Sequence, residues 1–255
     1  MLLQLSTWQE VEQYLSQSTG IILPIGSTEQ HGPKGLIGTD ALCPEIISHG
    51  INDNFNVMVA PTINIGIAQH HLGFAGTIAL RPSTLIIVIK DIIYSLLKHG
   101  FRHFYFLNGH GGNTATIAAA FSEIFHEISI QSKKPETIPK FKLRNWWEFS
   151  KIKTLSHELF GKMEGKHATP AEISLTYYAY PNSVKTNTVT PDIAPDGPIN
   201  DAFDYRERFP DGRIVSNSNL ASIEAGESLF HAAVEETVKD YQNFLIETSR
   251  LSAVP

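Results

Sequence analysis

HFYFLNGHGGN (103–113) runs straight into NTATIAAAFSEIFHEI (113–128), and this junction decides the fold. Residues 103–107 form a short, mostly apolar run of strand character. The glycines that follow turn the chain, and 113–128 then carries its apolar residues at helical spacing. A strand passing through a turn into a long helix is half of a parallel βαβ unit. The same alternation repeats outward in both directions. TWQE (7–10) has capping-box spacing and starts a helix to about Ser16. GIILPIG (20–26) reads as a buried strand, 40–49 as a helix ending at Gly50, and NVMVAPTINIG (56–66) starts as another strand. Ser83 caps a helix over 84–99 that stops at Gly100. FKLRNWW (141–147) is a further strand, and helices are expected over 170–179 and about 219–247. The expected fold class is α/β: a three-layer α/β/α sandwich with a mostly parallel central sheet. Reactive groups then belong in the loops at the carboxyl ends of the strands. No linker divides the chain, so 1–255 reads as a single domain. Residues 183–216, rich in Pro, Asp and Gly, read as a lid or interface excursion.

Composition narrows the function. Of 255 residues, 42% are hydrophobic and 18% charged, which excludes a disordered chain. Lys+Arg number 20 against 26 Asp+Glu, and no basic run appears, so neither nucleic acid nor an anionic membrane is an expected partner. The stretch LIIVIKDIIYSLL (85–97) is broken by Lys90 and Asp91 and falls short of the roughly 20 apolar residues a bilayer span needs. The N-terminus has no export-signal pattern, so a cytoplasmic location is expected. The single Cys43 excludes an intramolecular disulfide and a Cys-based zinc site. Its setting, LCPEII, reads as core, and without GxSxG a Ser or Cys nucleophile is not expected.

Chemistry-bearing residues gather at the strand ends. GSTEQHGP (26–33) sets Glu29 and His31 two apart, so both side chains face the same way in an extended loop. Asp40 follows in GTD (38–40), just before a helix. Carboxylate, imidazole and carboxylate suit Zn²⁺ or Mn²⁺. Taken singly, Glu29 fits a surface position, His31 a loop hydrogen bond and Asp40 a helix N-cap. His110 sits on the 108–113 turn, where Gly109, Gly111 and Gly112 let the backbone approach a ligand. That turn also fits a phosphate nest, although its spacing is neither the Walker pattern nor GxGxxG. In KHATPAEIS (166–174), His167 precedes a helix whose first turn holds Glu172, where the helix dipole alone favours a carboxylate. His70 and His71, beside Gly73 and Gly76, are placed to line a cleft. His49 and His99 belong to helix ends. His103, His126, His157 and His231 lie in strand or helix patterns without a nearby partner.

In this order and at these separations, GSTEQHGP…GTD, HHLGFAGTIALRPSTL, NGHGGN and HATPAEIS resemble the creatininase family. The resemblance implies the three-layer fold and a site for two divalent metals, Zn or Mn. It also implies hydrolysis of a non-peptide, possibly cyclic, amide C–N bond in a small molecule, and a homo-oligomer, often a hexamer. Formamide or formamidopyrimidine deformylation and peptide-precursor processing are family alternatives, and a non-enzymatic phosphate-binding protein is the rival outside it. By correspondence, Glu29, His31 and His110 are metal ligands and Asp40 bridges both metals. His167 handles substrate and donates a proton to the leaving nitrogen, and Trp147 closes over the substrate beside His71 and Gly111. Two positions depart from the family. True creatininases carry a ligand glutamate where this chain, like many other family members, has Gly112, so either Glu172, also expected to serve catalysis, or water is expected to fill that ligand position. Lys34, followed by Gly35, stands where the family usually has histidine, and the changes at 112 and 34 both weaken the case for creatinine itself as substrate.

Overall fold

The computed structural model describes residues 1–51, 55–133 and 138–252, and its architecture follows from alternation along two strands. Strands β1 (Gly20–Ile25), β2 (His103–Asn108) and β3 (Lys140–Asn145) pair in parallel in that order. Gly20 lies opposite His103, and His103 opposite Lys140. Ile21, Leu23 and Ile25 of β1 share one face with Phe104 and Phe106 of β2; Ile22, Tyr105 and Leu107 share the other. On the first face pack α1 (Trp8–Leu15), α3 (Pro82–His99) and α4 (Thr114–Ser129), through Tyr14, Leu85, Ile89, Ile93, Ile117 and Ile124. On the second pack α2 (Thr39–His49), α5 (Ser150–Phe160), α6 (Pro170–Ala179) and α8 (Ile223–Ser252), through Ile47, Ile152, Leu175, Leu229 and Phe244. Both faces of the parallel sheet are thereby removed from water, as three layers require. Cys43 is buried in the second face, as its pattern predicts.

Several local expectations change. Residues 56–66 make isolated parallel bridges to β1, at Ile22–Val59 and Ile25–Ile63, and no regular strand. Ile22 N–H donates to Met58 and Ala60 N–H donates to Ile22. The next rung of a parallel ladder would need a donor from Pro24, which has none. Pairing resumes one residue out of step, with Ile63 N–H on the Pro24 carbonyl. Ser83 is not the cap of α3; Arg81 is, with Pro82 at the first helical position, where its fixed φ suits the helix. The third strand ends at Asn145, and Trp146–Glu148 form a 3₁₀ turn. Helix α5 follows at once and was not anticipated. Its apolar stripe (Ile152, Leu155, Phe160) lies just beyond a segment read as strand.

Residues 183–216 contain α7 (Ala202–Arg208), capped by Asp201, whose carboxylate accepts the N–H groups of Phe203 and Asp204. The fully buried Arg213 fastens the remainder. Its guanidinium pairs with Asp211 and donates to the carbonyls of Pro191, Asp192 and Ser216. Among the described residues, no helix is long and apolar enough to cross a membrane.

Candidate metal centre

The loops after β1 and β2 and the segment entering α6 bring the residues singled out by sequence to one place. Glu29 and His31 come from the loop after β1, Asp40 from the first turn of α2, and His110 from the turn after β2. His167 and Glu172 arrive from the start of α6. His31 Nε2 lies 2.9 Å from Asp40 Oδ1 and 3.8 Å from Glu172 Oε2. His110 Nδ1 lies 2.8 Å from Asp40 Oδ2, and its Nε2 lies 3.4 Å from Glu29 Oε2. Asp40 is therefore shared between two donor sets, Glu29–Asp40–His110 and His31–Asp40–Glu172, whose ligand atoms lie within 4.8 Å of one another. A third set joins Glu29, His31 and His167.

The asparagines of the 108–113 turn hold these loops together. Asn108 Nδ2 donates to the His110 carbonyl and to Asn145 Oδ1 at the end of β3. Asn113 accepts from Ile67 N–H and donates to the Gly26 carbonyl. Gly112 is fixed by the same closeness: a Cβ there would stand 2.4 Å from His110 Nε2 and 2.8 Å from the Ile67 carbonyl. No carboxylate can replace it without displacing the His110 ring.

Glu172 divides its oxygens. Oε1 accepts the Thr169 N–H at 2.5 Å, closing a capping box with the Thr169 hydroxyl, while Oε2 faces His31. The helix-start and cluster readings thus describe different atoms of one side chain. The chain enters α6 through Ala168, in left-handed backbone (φ 54°), and His167 is bridged to Ile214 on both its N–H and carbonyl.

The electrostatics suit a cation. Burial disfavours charge on Asp40, yet His31 and His110 hold its carboxyl well below the usual range. Burial also opposes charge on both histidines, but Asp40 with Glu172 lifts His31 to about 10, and Glu29 with Asp40 lifts His110 to about 9. Burial and the repulsion of Asp40 push Glu29 up to about 8. Burial, joined by Asp40, also raises Glu172. His71 and His167 are held neutral, mainly by burial and then by neighbouring imidazoles. Glu29 is fully buried, and neither of its oxygens makes a well-formed hydrogen bond. A buried carboxylate with that deficit is costly unless something charged completes it. Mixed imidazole and carboxylate donors fit a divalent ion of the zinc or manganese kind.

The cluster floors a cavity of about 640 Å³ whose walls include His71, Gly111 and Trp147. Of the residues expected at the site, all but His31 line this cavity, and His31 is buried with its Nε2 against Asp40. Others were missed or set aside. His157 lines the cavity because α5 forms one wall, with Lys153 beside it. Glu164, pushed up to about 8 by burial and then by Glu172, lies there too. Gln30 is buried between two cluster residues and touches both His71 and His167. Only the position of Gln30 in the first motif hinted at it.

Comparison with known proteins agrees with this arrangement. The sequence profile of creatininase (creatinine amidohydrolase) matches residues 4–241. Creatinine amidohydrolase of Pseudomonas putida is 28% identical over 242 residues, covering 90% of this chain and 91% of that protein. A mycofactocin precursor peptide peptidase of Mycolicibacterium smegmatis is 32% identical over 125 residues, 47% of this chain and 50% of the relative. Creatininases solved in Zn–Zn and Mn forms share the fold, with TM-scores of 0.79 and 0.78 at 24% identity, over 95% of this chain and 97% of theirs. With the profile spanning nearly the whole chain and the four motifs meeting at the ends of β1 and β2, the chain belongs to the creatininase family and is a hydrolase.

Proposed function

We propose that the protein is a metal-dependent amidohydrolase that cleaves a non-peptide amide C–N bond, cyclic amides of the creatinine kind being the leading class. The observation that carries this reading is the sharing of Asp40 between two donor sets around a buried, unsatisfied Glu29. Two divalent ions, zinc or manganese, would be held by Glu29, Asp40 and His110 on one side and His31, Asp40 and Glu172 on the other. Bound there, they supply Lewis acidity that polarises an amide carbonyl and lowers the pKa of water.

The chain's own residues supply the rest. His167 Nε2 lies 2.8 Å from the Gln30 carbonyl, an acceptor only, so its proton sits on Nε2. Nδ1 is then free of hydrogen and faces Glu29 at 3.9 Å. In this reading His167 takes a proton at Nδ1 from the attacking water as its oxygen bonds to the amide carbon, and passes it to the leaving nitrogen as the C–N bond breaks, a step general acids speed about 10²–10⁴-fold. Trp147 and the backbone at Gly111 bound the space for the substrate.

The peptide-processing alternative is supported by the mycobacterial relative and by a cavity wide enough for more than one small ring. Lys34 and Gly112 count against creatinine itself. The deciding experiment is an amide panel (creatinine, small lactams, formamidopyrimidines and short peptides) assayed with Mn²⁺ or Zn²⁺ and again after chelation. Metal-restored cleavage of at least one non-peptide amide is expected. Turnover that survives complete metal removal contradicts the reading.

A further inference from the structure

Gln30 lies between two candidate ligands but points away from them. Its amide orientation is fixed by main-chain partners. Oε1 accepts the Gly32 N–H at 2.9 Å and Nε2 donates to the Gly212 carbonyl at 3.0 Å. Gly212 comes from the 183–216 segment, and a Cβ there would stand 1.9 Å from Gln30 Oε1, so the two are in tight register. Tyr205 of α7, fully buried, donates to the same Gly212 carbonyl at 2.7 Å and lies 3.1 Å from Gln30 Nε2.

The second hydrogen of the amide lies among His71 Nδ1, His167 Nε2 and the Tyr205 hydroxyl, and because His167 Nε2 carries a proton of its own, His71 Nδ1 is the bare ring nitrogen among them. Gln30 Nε2 is 3.0 Å from His71 Nδ1, while His71 Nε2 is 3.0 Å from Glu29 Oε1. A donor at Nδ1 and a carboxylate at Nε2 are compatible with only one neutral tautomer, that with the proton on Nε2. The T-shaped contact of His71 with Tyr205, centroids 4.9 Å apart, holds the ring plane. His167 is held differently. Its Nε2 proton goes to the Gln30 main-chain carbonyl, which no side-chain replacement at position 30 removes.

We infer that Gln30 is a positioning residue: its carboxamide, braced by Tyr205 and Gly212, sets the tautomer of His71 and so turns a protonated Nε2 toward the Glu29 carboxylate, 3.0 Å away. The 205–212 segment is on this view a structural wall of the site, acting on it through one amide. The inference rests on the metal reading only for the purpose Glu29 serves. Partners of this kind behind a metal ligand typically change affinity by about 10–100-fold when removed.

Long-range ¹H–¹⁵N spectra of the histidine rings test it in the chelator-stripped full chain near neutral pH, with His71 assigned from a His71→Gln spectrum. The native protein should show His71 and His167 both protonated at Nε2. In Gln30→Leu, His71 should lose its single-tautomer signature, His167 should keep its own, and Mn²⁺ should bind at least ~10-fold more weakly. A native His71 protonated at Nδ1 overturns the inference without any variant, as does an unchanged His71 spectrum in folded Gln30→Leu. Absence of Mn²⁺ binding in both proteins sinks the metal reading instead, and the ring spectra still decide the role of Gln30.

Discussion

At the scale of single residues, Glu172 and Gly112 form one problem. The family's carboxylate position is closed here by the His110 ring, and Glu172 Oε2 faces the same cluster from α6. Glu172→Gln keeps a side chain able to complete the capping box and removes a charge that burial and Asp40 already disfavour. Its thermal midpoint in chelator should therefore hold or rise, while Mn²⁺ affinity, read by calorimetric titration, falls at least ~10-fold. Unchanged affinity with a midpoint loss matching about 1 kcal/mol would reduce Glu172 to a cap. Gly112→Ala should cost about 1–3 kcal/mol through forced displacement of the His110 ring, measured by denaturant unfolding. For the same reason, Gly112→Glu should not rescue metal binding in Glu172→Gln. The candidate ligands were legible in sequence because each sits in a compact motif, either after a strand or at a helix start. Gln30 was not, because its partners Tyr205 and Gly212 lie 175 and 182 positions away and only folding brings them together.

Among the elements, the sheet and α8 are joined by one carboxylate. Asp240 of α8 accepts from Lys142 and Arg144 of β3 and from Tyr105 of β2. Burial opposes its charge, but these donors hold its carboxyl below the usual range. A depressed carboxylate contributes stability above its unfolded pKa and loses it as pH falls through the folded value. Asp240→Asn should therefore destabilise by about 1–2 kcal/mol at neutral pH, after allowance for its partial exposure. The difference from wild type should vanish in acid, and metal content should be unaffected; equal destabilisation at all pH values would mean lost packing and no charge clamp. Most elements were readable from periodicity because their apolar faces are distinct. The 56–66 strand failed because the missing N–H of Pro24 is a pairing defect that hydropathy does not register. Helix α5 failed because its start directly abuts a strand and a 3₁₀ turn, and His157 was set aside with it.

For the whole molecule, the cluster couples folding to protons and to metal. Glu29, His110 and His31 have folded values raised to about 8, 9 and 10. Each binds its proton more tightly when folded, so the stability it contributes is lost as pH rises through these values. His71 and His167, depressed by burial, act in the opposite sense only below the ordinary histidine value of about 6.5. Between pH ~7 and ~9, then, the melting temperature of chelator-stripped protein should decline steadily. The increment gained on adding Mn²⁺ should grow over the same range, because deprotonated ligands bind better. Scanning calorimetry with and without chelator checks both slopes, and a stripped protein that gains stability over this range would reverse the assigned signs. The central claim is that Asp40 joins two metal positions into one centre. Bound-metal content after titrating stripped wild type and Asp40→Ala with Mn²⁺ tests it most directly: the account predicts two ions per chain in the wild type and none held tightly in the variant. Two ions in Asp40→Ala, or none in the wild type, would contradict it.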